Sequence, residues 1–100
     1  TIYGNIRFGA NRGFMQEGTA LHEIAHTVGV GTAWNFQSKV DAQDWPAALP
    51  LLRTWDGPDA RINGGGSHMW PYGLNYSNEY SELNFDRHVR LVQAMHHDGL

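Results

Sequence analysis

Cysteine is absent from this chain of 100 residues. No disulfide can staple it and no thiolate can bind a metal, which leaves His, Asp, Glu and Tyr as the side chains available for ligation. Charge is also sparse: 17% of residues are charged, the net charge is −3, and basic residues form no run. That argues against a nucleic-acid partner. No apolar stretch approaches the roughly 20 residues of a membrane-spanning helix, so no membrane partner is expected. No secretion signal opens the chain, which begins directly on Thr1, as a mature form or a domain of a longer secreted protein would. There is no internal repeat, and the longest low-complexity tract is Gly64-Gly65-Gly66.

What is present suits one globular domain over residues 1–100. Hydrophobic residues make up 41% of the chain, which argues against disorder. Aromatic residues make up 12%, so large rings carry much of the core or line a cleft. Trp34, Trp45 and Trp55 are assigned to those places and given no chemistry. Six histidines exceed the usual share, and in a chain without disulfides a bound metal would add stability.

Local patterns divide the chain coarsely. Ile2, Ile6 and Phe8 alternate in Thr1–Gly9, the period of a strand, and Ala10–Gly18 reads as a connection. A helix is expected from Phe14 or Thr19 to about Gly29, a residue that suits a helix end. Thr32–Trp45 reads as strand or loop. Pro46 and Pro50 bracket a segment that leads into a short helix before the turn at Asp56–Asp59. Ala60–Tyr76 is loop-like, rich in glycine and aromatic residues. From Ser81 or Asn84 to Asp98, Leu83, Phe85, Val89, Leu91, Val92 and Met95 predict an amphipathic helix that stops at Gly99. Two substantial helices, a small sheet and long connections give an α+β fold.

The chemistry concentrates in "TALHEIAHTVGVGT", Thr19 to Thr32. At one hundred degrees per residue, Leu21, Ile24, Ala25 and Val28 share an apolar stripe. His22 and His26 lie together at its edge, with Glu23 just beyond. Residues four apart are neighbours on a helix surface, so both imidazoles can converge on one ion. Glu23 is too displaced to join them as a ligand but is placed to reach a water on that ion and act as a general base.

This stretch resembles the active-site helix of the zincin metallopeptidases. It is similar to the metzincin pattern H-E-x-x-H-x-x-G-x-x-H, with Gly29 in the glycine position and Thr32 where that pattern has its third histidine. The resemblance implies a minimal, secreted, bacterial zincin-like domain. It also implies a zinc ion that acidifies a water and polarises a substrate carbonyl, with a peptide or protein as substrate and a monomer as the acting form.

With Thr32 a poor ligand, the third ligand must come from elsewhere. His68, in the glycine-rich loop, is the first candidate. The run from His68 to Gly73 is similar to the aspzincin element in which an Asp ligand precedes a Tyr-Gly pair. By that analogy Tyr72 donates its hydroxyl to the oxyanion. Glu79 and Glu82 are the alternatives, since a downstream glutamate serves in thermolysin-like zincins; near a helix start each also reads as a solvated carboxylate. His88, His96 and His97 read as polar-face residues of the last helix. The expectation is a zinc-dependent peptidase with His22, His26 and His68 on the metal and Glu23 as base. The alternative is a metal-stabilised binding module with little or no turnover.

Overall fold

A computed structural model describes residues 7–100 of the chain. Among the described residues four α-helices and one two-stranded sheet make an α+β fold. Helix α1 spans Arg7–Val28, α2 Phe36–Ala42 and α3 Ala48–Asp56; the hairpin β1 Asn63–Gly65 and β2 His68–Trp70 follows, and a 3₁₀ turn at Ser77–Glu79 leads into α4, Glu82–His97.

The expected first strand falls partly on residues 1–6, outside the described residues; from Arg7 onward the chain is helical, so Phe8 and the whole of Ala10–Gly18 belong to α1 rather than to a strand and a connection. Three glycines in this half, Gly9, Gly13 and Gly18, weaken its intrinsic helix preference. Gly18 has a packing reason. A Cβ there would stand 2.5 Å from the ring of Tyr80, so only glycine lets that ring lie against the helix. The end of α1 matches expectation: Gly29 takes φ 131°, and the Gly29 and Val30 amides both donate to the Ala25 carbonyl.

The apolar stripe of α1 is narrower than a helical wheel suggests. Ala25 is buried, but Ile24 is 55% exposed. Among the tryptophans Trp45 is in the core, whereas Trp34 is 94% exposed and neither core nor cleft-lining. The segment read as strand or loop instead holds α2, which buries Phe36, Lys39 and Val40 at helical spacing. At its end the Gln43 amide acts as a strand partner to Ile62: its nitrogen donates to the Ile62 carbonyl and its oxygen accepts from the Ile62 amide.

The glycine-rich segment read as loop folds into the hairpin. It is antiparallel, with Asn63 opposite Trp70 and Gly65 opposite His68. Its two turn residues, Gly66 and Ser67, take φ 58° and 68°. Positive φ at both central positions is what a two-residue hairpin turn requires. Met69 points into the core, 1% exposed.

Helix α4 starts on Ser81, whose hydroxyl accepts from the Asn84 amide. It packs against both α1 and α3 through Phe85, His88, Leu91, Val92 and Met95, while Leu83 and Val89 stay exposed. Just past its end, the Asp98 carboxylate accepts from the Ala47 and Ala48 amides, both at 2.8 Å. One side chain thus satisfies the open N-terminus of α3 and fixes it to the end of α4. No helix among the described residues is long and apolar enough to cross a membrane.

Candidate metal centre

His22 and His26 stand one turn apart on the last third of α1, with rings edge-on at 85° and centroids 4.6 Å apart. Each ring is oriented by a backbone carbonyl. His22 Nδ1 lies 2.9 Å from the Gly73 oxygen, and His26 Nδ1 lies 2.7 Å from the Val30 oxygen. A carbonyl can only accept, so both Nδ1 atoms carry the proton and donate. In neutral rings this leaves a lone pair on each Nε2, and these two atoms face each other at 3.1 Å. Two lone pairs at that distance repel. A shared proton or a metal cation converts the repulsion into attraction.

The spacing fits a metal. Two imidazoles bound tetrahedrally at the usual zinc–nitrogen distance stand about 3.3 Å apart. A backbone carbonyl on the far nitrogen is the usual partner of a metal-binding histidine, since it fixes tautomer and ring direction together.

His68 supplies the third imidazole. From β2 its ring stands 5.4 Å from that of His22 and 6.4 Å from that of His26, and one nitrogen from each of the three rings falls within 4.8 Å of the others. Its Nδ1 is buried and finds no hydrogen-bond partner among the described residues. Such atoms are rare in folded proteins and ask for an explanation; a bound ion is one. All three residues are partly exposed, so solvent can approach.

The other expected residues are placed as follows. Glu23 is exposed and has no hydrogen-bond or ion-pair partner among the described residues. Thr32 is no ligand; its hydroxyl donates to the His26 carbonyl at 2.6 Å and closes the helix end. Glu79 is not brought to the cluster, because its carboxylate accepts from the Asn75 and Tyr76 amides. Glu82 is exposed in the first turn of α4.

The Tyr72 hydroxyl donates to Asp56 Oδ1 at 2.7 Å and accepts from Arg87 Nη1 at 2.9 Å. Burial, reinforced by its hydrogen bond to Asp56, raises its pKa above the ordinary 10.0. Its proton is therefore directed at Asp56 rather than offered to an oxyanion. What Tyr72-Gly73 contributes is backbone: the Gly73 carbonyl holds His22, and the Tyr72 carbonyl accepts from His88.

Two glycines let these pieces meet. A Cβ on Gly73 would fall on the Met69 carbonyl, and one on Gly31 would fall on the backbone of Ser67. The chain beyond α1 thus abuts the residue before His68, and the Gly73 loop abuts the strand that carries His68. His88, read as a polar-face residue, is instead 2% exposed. The helical wheel carries the missed signal, since position 88 is three residues past Phe85 and four before Val92. The exposed His96 and His97 fit the polar-face reading.

The chain matches no known protein-family model, no curated protein and no solved structure.

Proposed function

We propose that this chain is a zinc-dependent peptidase in which His22, His26 and His68 hold the ion and Glu23 is the general base. The observation that supports the reading most is the facing pair of Nε2 atoms at 3.1 Å, with both Nδ1 protons already committed to carbonyls. That arrangement has a physical reason if a cation sits between the rings, and is repulsive without one or a shared proton. Zinc in such a set of neutral imidazoles supplies a Lewis acid that acidifies water and polarises a carbonyl. Imidazole is also a good donor for cobalt or nickel, so zinc is the choice of a chemical class rather than of one element.

The chain's own residues then divide the work. His22 and His26 are held rigid by Gly73 and Val30, so little ordering is required when the ion arrives. Glu23, next to a ligand and free of partners among the described residues, is available to take a proton from water and return it to a leaving amine. Tyr72 is given no role in proton transfer here, because its hydroxyl is engaged by Asp56 and Arg87.

Glu23→Gln tests the assignment. The variant should retain zinc at wild-type stoichiometry while hydrolysis of an unstructured protein such as casein falls by at least about a hundredfold. Undiminished hydrolysis would remove the general-base role.

One observation favours the second reading, a metal-stabilised module. The three ligands come from two elements, α1 and the hairpin, so an ion would join α1 to the rest of the fold. A wild-type protein that binds zinc stoichiometrically yet cleaves no peptide library would decide for the module.

A further inference from the structure

Of the six histidines, His88 alone is buried. It sits on the otherwise apolar face of α4, among Phe85, Leu91 and Val92. An aliphatic side chain would pack there without a polar group to satisfy, so the imidazole is expected to act through its nitrogens.

Both nitrogens face carbonyl oxygens on other elements. Nδ1 lies 2.6 Å from the Tyr72 oxygen and Nε2 lies 3.2 Å from the Leu21 oxygen. Leu21 immediately precedes His22. Tyr72 immediately precedes Gly73, whose carbonyl accepts the Nδ1 proton of His22. The connections therefore close on themselves. They run from the His22 ring to Gly73, back one residue to Tyr72, across His88 to Leu21, and forward one residue to His22.

We propose that His88 is a positioning residue for the metal centre: by hydrogen-bonding the Tyr72 carbonyl from α4, which itself packs on α1, it keeps the Gly73 carbonyl aimed at His22 Nδ1 and so leaves the His22 Nε2 lone pair free for the ion. Burial holds His88 neutral by lowering its pKa, and a neutral ring has one proton to give. The shorter contact, to Tyr72, takes it. The Tyr72 arm therefore carries the hydrogen bond, and the Leu21 oxygen is a neighbour that the packing of α4 on α1 sets beside Nε2, not an acceptor from it.

Side-chain amides separate the two arms. An asparagine nitrogen falls roughly where Nδ1 of histidine lies, and a glutamine nitrogen roughly where Nε2 lies. The inference rests on the metal-binding reading of His22, so its first readout is the ring itself. Long-range ¹H–¹⁵N spectra of chelator-treated protein report which nitrogen of each imidazole is protonated.

In wild type and in His88→Asn, the His22 proton should be on Nδ1. In His88→Leu and His88→Gln it should move substantially to Nε2, since the proton follows the hydrogen bond available. The second readout is zinc affinity, which should fall about tenfold in the Leu and Gln variants and stay near wild type in Asn. If His88→Leu does not fold, the Asn and Gln pair decides alone. A His22 proton on Nδ1 in every folded variant overturns the proposal. If the proton moves as expected but wild type binds no zinc, His88 does position the ring and the metal reading fails instead.

Discussion

Adding zinc to chelator-stripped protein should raise its melting temperature, and the expected size follows from where the ligands lie. His22 and His26 share α1, but His68 comes from β2, on the far side of two helices in the chain. The unfolded chain therefore holds no preformed three-ligand site, and the free energy of binding adds to that of folding. Zinc at a hundredfold excess over its Kd adds about 2.7 kcal/mol. In a domain of this size each kcal/mol moves Tm by roughly 4–8 °C, so the rise should be about 10–20 °C. Circular-dichroism melts at fixed protein concentration, with magnesium as the hard-cation control, measure it directly. His22→Ala combined with His26→Ala should abolish the rise, whereas His68→Ala should leave part of it because the facing pair survives. No rise in wild type would refute the metal centre. An equal rise in the double variant would also refute it, since the ion would then sit elsewhere, with the adjacent His96 and His97 as the first place to look.

Gly73→Ala should destabilise the fold by about 3 kcal/mol, the upper end for overpacking, because the new methyl meets the Met69 carbonyl; urea unfolding measures it, and a cost near zero would show that the loop gives way freely. The same variant should weaken zinc binding through its displaced carbonyl, a loss that competition with a chromophoric chelator would read. Tyr72 should titrate late, with a phenolate absorbance step above the ordinary 10.0 that Tyr72→Phe removes. Between pH 10 and that raised pKa the folded state holds a proton the unfolded state has released, so this group's contribution to stability is intact below pH 10 and is lost as pH rises. A step for Tyr72 at the ordinary position would mean that its hydroxyl is neither buried nor held by Asp56 in solution.

The parts of the fold that were legible in the sequence are those where side-chain period and end signals agree. Helix α4 has an apolar repeat, Ser81 as its cap and Gly99 beyond it, and the structure bounds it at Glu82–His97. The lower half of α1 reads equally well from Leu21 to Gly29. Its upper half does not, since Gly9, Gly13 and Gly18 each cost about 1 kcal/mol of helix preference. For Gly18 the compensating term is the Tyr80 ring laid against the helix, a contact 62 positions away that no local window contains. Helix α2 is short and lacks a side-chain cap, so only Phe36 and Val40, four apart, mark it. The hairpin carried a usable signal in Gly66-Ser67, obscured because Asn63-Gly64-Gly65 is a poor strand by composition. Gly64 is there for space: a Cβ would stand 2.7 Å from the Phe36 ring.

The candidate metal centre divides along the same line, and the division has a physical cause. His22 and His26 are side chains of a rare type at a recognisable spacing, so residue identity is enough to nominate them; His68 has no such spacing and stands out only as a histidine in a glycine-rich loop, with Glu79 and Glu82 as open alternatives. What turns the first two into a directed pair is the placement of two carbonyls, those of Gly73 and Val30, and a carbonyl belongs to every residue alike. Nothing in the letters at 30 or 73 distinguishes an oxygen that orients an imidazole from one that faces water. The same holds for the carbonyls of Leu21 and Tyr72 that meet His88. Yet these groups decide the chemistry. Without an acceptor at Nδ1 the ring is free to hold its proton on Nε2, where a proton blocks metal binding. The side chains say which atoms could bind; the folded backbone settles which of those atoms has a lone pair to offer.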